Sequence, residues 1–222
     1  MFTPPTPQWQ ETGAALVDRL AARFGTQGLK PDRFGLVIAV PGPGGRAQGF
    51  AYRGDWRCYP CSLVKTFHLV HALHLLEKGG ISPHAELDRA LRDMILWSSN
   101  TATNYVIDLI TDTTGDTILE GAAMAEWKAR RSELNGFFEA LGWPEFGGCN
   151  VTQKLMDDRR YGREAQYAGP SGRNLNALTP LAAARLMWEL FEGKPPLGPS
   201  MRQRACAILR RDRAAPEASE PH

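Results

Sequence analysis

Ser62 and Lys65 stand three positions apart in the tetrad Ser62-Leu63-Val64-Lys65 of a 222-residue chain. Residues three apart share one face of a helix, so the hydroxyl and the ammonium group are expected to meet. A serine hydroxyl becomes a nucleophile when a base takes its proton. A lysine among apolar residues has a lowered pKa and can serve as that base. The spacing therefore indicates nucleophilic catalysis, with a capping serine and a surface lysine as the alternative interpretation.

A second polar motif, Ser98-Ser99-Asn100, begins 36 residues after Ser62. A serine and an asparagine two apart on a tight loop point to the same side. The Ser98 hydroxyl is suited to passing a proton to a leaving group, and the Asn100 amide is suited to binding a substrate carbonyl. Serine and asparagine also favour helix caps, so a capping turn is the alternative interpretation of this motif.

The element that must position Ser62 is predicted to be a helix over residues 62–79 that is apolar on nearly every side. Such a helix belongs in the centre of a fold. A short β-branched run at 33–40, a Gly/Pro turn at 41–45 and a second run at 48–53 predict an antiparallel hairpin. The residues between 143 and 176 are expected to form a loop.

Apolar periodicity predicts several further helices, and the Thr179-Pro180 pair is a strong start signal for one of them. They are expected over residues 11–24, 86–97, 101–111, 118–141, 179–193 and 201–211. The pattern predicts one α+β domain over residues 1–222, with flexible segments at 1–9 and 214–222.

In this order, the two motifs and their flanks resemble the class A β-lactamase and penicillin-binding protein superfamily, whose members carry SxxK and SxN motifs. Tyr59-Pro60-Cys61 is similar to the family's lead-in to the nucleophile. The stretches WSSNTATNYVIDLI, SELNGFFEALGW and NALTPLAAARLMWELFEG are similar to its later helices. The resemblance covers roughly residues 33–213, and it implies a β-lactamase/transpeptidase-like fold with an antiparallel sheet and an all-helical subdomain.

The resemblance also implies a role for each residue of the two motifs. Ser62 would be the acylated nucleophile, and its backbone N–H would form half of an oxyanion hole. Lys65 would accept or tune its proton, Ser98 would carry a proton to the leaving group, and Asn100 would bind the substrate amide. The implied activity is a serine hydrolase that forms an acyl-enzyme on an amide, ester or β-lactam carbonyl.

Two departures from the family pattern limit this expectation. Residues 146–154, where class A enzymes carry a deacylating glutamate, contain no acid, and Glu145, Asp157, Asp158 and Glu164 do not match its position. A peptidase, an esterase or a slow acyl-enzyme former therefore fits better than an efficient β-lactamase, with a non-catalytic binding protein as the alternative. No Lys-Thr-Gly-like strand follows Asn100, so we expect a complementary C-terminal segment with the remaining sheet strands to complete the site.

Charge and composition limit the classes of partner that we expect for this chain. The chain has 26 basic and 24 acidic residues, a net charge of +2, which gives no reason to expect nucleic acid. No apolar run is long enough to span a bilayer. The first residues lack a signal-peptide pattern, which fits a cytoplasmic protein or a mature periplasmic or secreted form. A small acyl substrate is the expected partner, without metal or cofactor.

The cysteines and histidines allow other chemistry that we rank lower. Cys58 and Cys61 form a lone CxxC, which is compatible with a redox pair or half of a zinc site, but no second ligand pair follows. Cysteine pairing stays open. Three histidines recur at every third position of the central helix, which predicts packing or surface roles for His68, His71 and His74.

Overall fold

The computed structural model describes residues 2–4, 6–156 and 159–211. Its contacts divide into two compact units. The first comprises Met1–Cys58, Trp143–Cys149 and Leu178–Lys194, and the second comprises Tyr59–Gly142, Asn150–Ala177 and Pro195–His222. The single-domain organisation expected from the sequence stays a prediction, and the flexible segment expected at 214–222 lies outside the described residues.

The first unit contains the sheet. Strand β1 (Leu36–Pro41) pairs antiparallel with β2 (Ala47–Tyr52), in a register that joins Leu36 to Tyr52 and Pro41 to Ala47. Helix α1 (Pro7–Phe24) packs on β2, where Gly13 allows the ring of Phe50 to approach. A Cβ atom at Gly13 would lie 2.1 Å from that ring, so glycine is required there. The predicted hairpin is confirmed.

Helix α7 (Pro180–Phe191) covers β1 in the same unit. The Thr179 hydroxyl accepts a hydrogen bond from the Ala182 N–H at 3.0 Å, so the predicted Thr-Pro helix start is confirmed. The chain start differs from the loose arm expected at residues 1–9. Thr6 caps α1, whose first residue is Pro7, and Phe2 is buried with its ring 5.9 Å from that of Trp188.

The second unit is helical. Its central helix α2 (Lys65–Lys78) contacts α3 (Ala85–Leu96), α4 (Asn100–Thr111), α5 (Gly121–Glu139) and α8 (Pro199–Leu209). Phe67, Leu69, Val70 and Leu73 of α2 are fully buried, which confirms the prediction of a central helix. The predicted α+β class is also confirmed, since a two-stranded antiparallel sheet accompanies eight α-helices in the described part of the chain.

The segment expected to be a loop at 143–176 contains one short helix, α6 (Gly162–Ala168). Seven residues are too few for a clear apolar period, so sequence reasoning did not find this helix. Its N-terminal end is shaped by Gly162, whose φ of +52° suits glycine and whose Cα lies close to the Asp116 carbonyl. Among the helices described, none is long and apolar enough to cross a bilayer.

Candidate active site

The candidate nucleophile lies in a 3-10 turn, Cys61–Val64, which leads directly into α2 at Lys65. The sequence predicted that the α-helix would begin at Ser62, and it begins three residues later. Ser62 is exposed, whereas the Lys65 residue is 2% exposed. Cys61, immediately before Ser62, has a φ of +48°, a conformation that costs free energy for a residue with a Cβ atom. The turn thus presents the hydroxyl to solvent and keeps the ammonium group inside.

The second motif connects α3 to α4. Ser98 also has a positive φ, +53°, and Ser99 caps α4 by accepting a hydrogen bond from the Ala102 N–H at 3.1 Å. Asn100 is the first residue of α4. Ser98 and Asn100 therefore stand on either side of a capping residue. The capping interpretation of the motif applies to Ser99, and the Ser98 side chain does not form this cap.

The structure brings the four predicted residues together. The Ser98 hydroxyl donates to Ser62 Oγ at 2.7 Å, and Lys65 Nζ donates to Ser98 Oγ at 3.0 Å and to Asn100 Oδ1 at 2.9 Å. Lys65 Nζ also donates to the carbonyl oxygen of Ser98. The path from Ser62 to Lys65 thus runs through the Ser98 hydroxyl, whereas the spacing alone predicted a direct approach. Such a chain of hydroxyl and amine groups can carry a proton between the nucleophile and the lysine.

A polar stripe on α4 extends from the site. Asn100, Asn104 and Asp108 are four residues apart and lie on one face of the helix. The Asn104 side chain donates to the Leu155 carbonyl at 2.7 Å and accepts from the Leu155 N–H at 3.0 Å. This pair of bonds fixes the segment 150–156 against the helix that begins at Asn100. In the sequence, the four-residue spacing between Asn100 and Asn104 could have shown that both lie on one helix face. Nothing in the sequence identifies Leu155 as the partner of Asn104.

A buried group of charges fixes the same segment further along α4. Lys154 Nζ lies 2.6 Å from Asp108 Oδ2, and Arg131 of α5 makes two hydrogen bonds to the Glu164 carboxylate, at 3.1 and 2.7 Å. Burial raises the pKa of Asp108 above its ordinary value, and its contacts with Lys154 and Arg131 oppose that shift. These contacts join distant parts of the chain, so no local pattern predicts them.

The acids considered for deacylation have other surroundings. Glu164 is 6% exposed and bound to Arg131, and Glu145, in the first unit, accepts from the Phe2 N–H at 3.1 Å and lies 3.5 Å from Arg185. Asp157 and Asp158 lie outside the described residues. Glu164 and Glu145 are therefore held by cations and a backbone amide, as structural carboxylates are.

The lower-ranked candidates are arranged as packing residues. His68 and His71 are buried, and His74 Nδ1 lies 2.8 Å from the Pro196 carbonyl oxygen, so the predicted packing role is confirmed. Cys58 Sγ lies 3.8 Å from the Leu178 carbonyl oxygen, and Cys149 Sγ lies 3.9 Å from the Glu145 carbonyl oxygen, so both thiols pack against backbone. Within residues 2–4, 6–156 and 159–211, no three His, Cys, Asp or Glu side chains gather as metal ligands would.

Solved structures with a similar fold include class A β-lactamases. A variant of the enzyme reconstructed for the last common ancestor of Gram-negative bacteria matches with a TM-score of 0.54 and 21% identity, over 87% of this chain and 68% of its own. The ancestral enzyme itself matches with a TM-score of 0.51 and 21% identity, over 87% of this chain and 70% of its own. At this identity the likeness defines the fold. No curated protein sequence matches the chain.

The family follows from the sequence match. The model of the β-lactamase enzyme family matches residues 84–218, more than half of the chain. This chain therefore belongs to the β-lactamase enzyme family. The matched stretch contains Ser98 and Asn100, while Ser62 and Lys65 precede it, so their connection to the motif rests on the hydrogen bonds described above.

Proposed function

We propose that this chain is a serine hydrolase that becomes acylated on Ser62 by an amide, ester or β-lactam carbonyl. The observation that carries the proposal is the contact chain from Ser62 Oγ through Ser98 Oγ to Lys65 Nζ, at 2.7 and 3.0 Å. An exposed hydroxyl joined to a buried amine is the arrangement that nucleophilic catalysis by serine needs. Membership of the β-lactamase family supports a hydrolase-like function.

In the proposed acylation, Ser62 Oγ forms a bond to the carbonyl carbon of the substrate. For this step Lys65 is the neutral amine: it keeps two N–H donors for Asn100 Oδ1 and the Ser98 carbonyl and turns its lone pair to Ser98 Oγ. The hydroxyl of Ser62 then donates to Ser98 and that of Ser98 to Lys65, the reverse of the donor directions described above. The Ser62 proton passes to Ser98 Oγ, and the Ser98 proton passes to Lys65 Nζ. The same path then returns a proton to the leaving group as the bond between the carbonyl carbon and that group breaks. Ser62 is left as an ester, Ser98 and Lys65 regain their starting protonation states, and water later hydrolyses the ester to the free acid.

Two further groups would assist this step. The backbone N–H of Ser62, at the amino end of the turn that leads into α2, would donate to the developing oxyanion. Asn100 Oδ1 accepts from Lys65, so Nδ2 is the atom of that amide that would bind a substrate carbonyl. The lysine and the substrate would then be oriented by one asparagine.

The proposed deacylation is slow. The family's deacylating glutamate has no counterpart in residues 146–154, and Glu164 is bound to Arg131. If no carboxylate takes a proton from water, as none is placed to do so among residues 146–154, hydrolysis of the ester loses general-base catalysis, which contributes on the order of 10²-fold or more. The acyl-enzyme would therefore accumulate, and the efficient turnover of antibiotics is not part of the proposal.

The test is covalent labelling. The protein is incubated with a fluorescent penicillin or a fluorophosphonate, and the adduct is followed by gel fluorescence and intact mass. We expect labelling of the wild type, none in Ser62→Ala, and a loss on the order of 10²-fold or more in the labelling rate of Lys65→Met. Absence of a label that depends on Ser62 would contradict the proposal. Reversible binding of the same probes without an adduct would instead favour the non-catalytic binding protein.

The complementary C-terminal segment expected from the family resemblance stays a prediction. Strand β1 pairs with β2 along one edge, and its other edge carries no strand among the described residues. An unpaired edge is able to accept a further strand, whichever chain supplies it.

A further inference from the structure

The chain segment that carries Ser62 has no charged side chain and presents two large apolar ones to solvent. Tyr59 and Leu63 are each 46% exposed, and Cys61 and Ser62 between them are also exposed. The run from residue 59 to 64 contains no charged side chain. Large exposed apolar side chains in a contiguous run mark a surface that binds something apolar. Here that surface adjoins the proposed nucleophile.

Tyr59 is held in place despite its exposure. Its hydroxyl accepts a hydrogen bond from Gln153 Nε2 at 3.4 Å. Gln153 is 3% exposed, and Asn176 fixes it at three points: the Gln153 N–H donates to Asn176 Oδ1, Gln153 Oε1 accepts from the Asn176 N–H, and the Gln153 carbonyl accepts from Asn176 Nδ2. A tyrosine tethered to a rigid partner loses little conformational entropy when a ligand packs on its ring.

The chain also limits the distance between the backbone of Tyr59 and that of the proposed nucleophile. Tyr59 precedes Ser62 by three residues, so their Cα atoms are at most about 11 Å apart. An acyl group on Ser62 that carries a ring or several methylene groups extends further toward a neighbour at this backbone distance than a two-carbon acetyl group does.

We infer that Tyr59, positioned by Gln153, is a specificity-determining residue that packs against the acyl group of the substrate, and that the enzyme prefers carbonyl compounds with an uncharged aromatic or long aliphatic acyl group. This inference rests on the proposed acylation of Ser62. The chemistry of the four site residues does not select among acyl groups. A contact between Tyr59 and the acyl group would make that selection.

Three 4-nitrophenyl esters test the inference, because they share a leaving group and differ in the acyl group: acetate, 3-phenylpropanoate and the negatively charged hemisuccinate. The second-order acylation rate constant is measured from the burst of 4-nitrophenolate. We expect the wild type to prefer the phenylpropanoyl ester. Tyr59→Ala is expected to lower the phenylpropanoyl/acetyl ratio about tenfold, with little change for acetate. Tyr59→Phe keeps the ring and should retain most of the ratio.

Phe191→Ala serves as the matched control, since Phe191 is an exposed aromatic residue of similar exposure, 47%, on α7 of the first unit. Its ratio should equal that of the wild type. The inference would be overturned if Tyr59→Ala left the phenylpropanoyl/acetyl ratio unchanged, or if Phe191→Ala lowered the ratio equally. A burst that depends on Ser62 would in that case still support the proposed function. A wild type with no Ser62-dependent burst on any ester would overturn both. Circular dichroism of each variant shows whether it is folded, so that a lost contact with the substrate is distinguished from a loss of folding. Tyr59→Phe is the milder change in this comparison.

Discussion

Two adjacent serines perform different tasks in this site. Ser98 connects Ser62 to Lys65 through its hydroxyl, and Ser99 caps α4 with its own. Sequence patterns treat both residues alike, because serine is common in caps and in catalytic loops. The left-handed backbone of Ser98 separates them, since it turns one hydroxyl toward Lys65 and leaves the other at the helix end.

Exchanging either serine for alanine should separate catalysis from stability. Ser98→Ala removes the proton path and is expected to lower the Ser62 labelling rate on the order of 10²-fold. Its melting temperature should change little, because Lys65 keeps Asn100 Oδ1 and the Ser98 carbonyl as acceptors. Ser99→Ala should lose about 1 kcal/mol of stability with the cap and keep its labelling rate. Equal labelling rates in Ser98→Ala and the wild type would contradict the relay.

At the scale of elements, α4 is the part that ties the site to the rest of the second unit. Its first residue, Asn100, binds Lys65 of α2, and the residues one and two turns later hold the segment 150–156. Arg131 of α5 adds to this arrangement from behind, with its guanidinium fully buried between Glu164 and the Trp127 ring, whose centroid is 4.4 Å away. The helix that begins at Asn100 is therefore held in place by ion pairs that do not contact the site residues.

Arg131 and its neighbour Arg130 offer a matched test of how much the buried ion pair stabilises the fold. Arg131→Met removes two hydrogen bonds from the buried Glu164 carboxylate, which keeps the Lys154 ammonium group at 3.8 Å, and is expected to cost about 3 kcal/mol of unfolding free energy. Arg130→Ala breaks an exposed pair with Asp112 and is expected to cost less than about 1 kcal/mol. Urea unfolding measures both changes.

The double variant Arg131→Met with Glu164→Gln should recover part of the lost stability, since the buried group that lost its guanidinium partner is then neutral. Similar unfolding free energies for Arg131→Met and Arg130→Ala would show that the buried pair does not support the fold in the way described.

At the scale of the whole molecule, two buried histidines link the stability of the fold to pH. Burial lowers the pKa of His68 to about 4, with the charges of Arg131 and Lys65 contributing to the shift and the hydrogen bond with the Val151 carbonyl opposing it. Burial also lowers the pKa of His71 to about 3, with His74 and His68 adding to the shift. The His71 ring stacks on the Phe137 ring with 4.3 Å between their centroids. At neutral pH the rings of His68 and His71 are therefore uncharged parts of the core.

Because both pKa values lie below that of an unfolded histidine, the unfolded chain binds more protons below pH 6.5 and stability falls as the pH falls. The loss continues until the pH reaches the folded pKa values, near 4 for His68 and 3 for His71. At pH 5.5 each histidine should cost about 1.4 kcal/mol relative to pH 8. Urea unfolding at both values measures this difference.

His71→Leu is the comparison that isolates one of the two histidines. It should reduce the loss between pH 8 and 5.5 by about 1.4 kcal/mol relative to the wild type. Acidic groups titrate alike in both proteins and cancel in the comparison. An unchanged pH dependence in His71→Leu would mean that the His71 ring is protonated in the folded state.

The sequence predicted the elements that have a strong local signal. The α2 helix is continuous in apolar residues, the hairpin has a Gly/Pro turn, and α7 begins with Thr179-Pro180, so local propensity and tertiary structure agree there. The first residues and α6 were not predicted. Phe2 is ordered by contacts with Trp188 and Glu145, more than 140 residues away, and the periodicity of residues 1–9 contains no trace of them.

The sequence by itself indicated which residues meet at Ser62, because the two motifs contain the proposed nucleophile, the amine, the hydroxyl and the amide, each motif with a short internal spacing. Only the tertiary structure decided how they are connected. It made Ser98 the link between Ser62 and Lys65, bound Glu164 to Arg131, and fixed Tyr59 through Gln153. These contacts join residues 33 to 94 positions apart, and their geometry depends on how helices pack rather than on any local pattern.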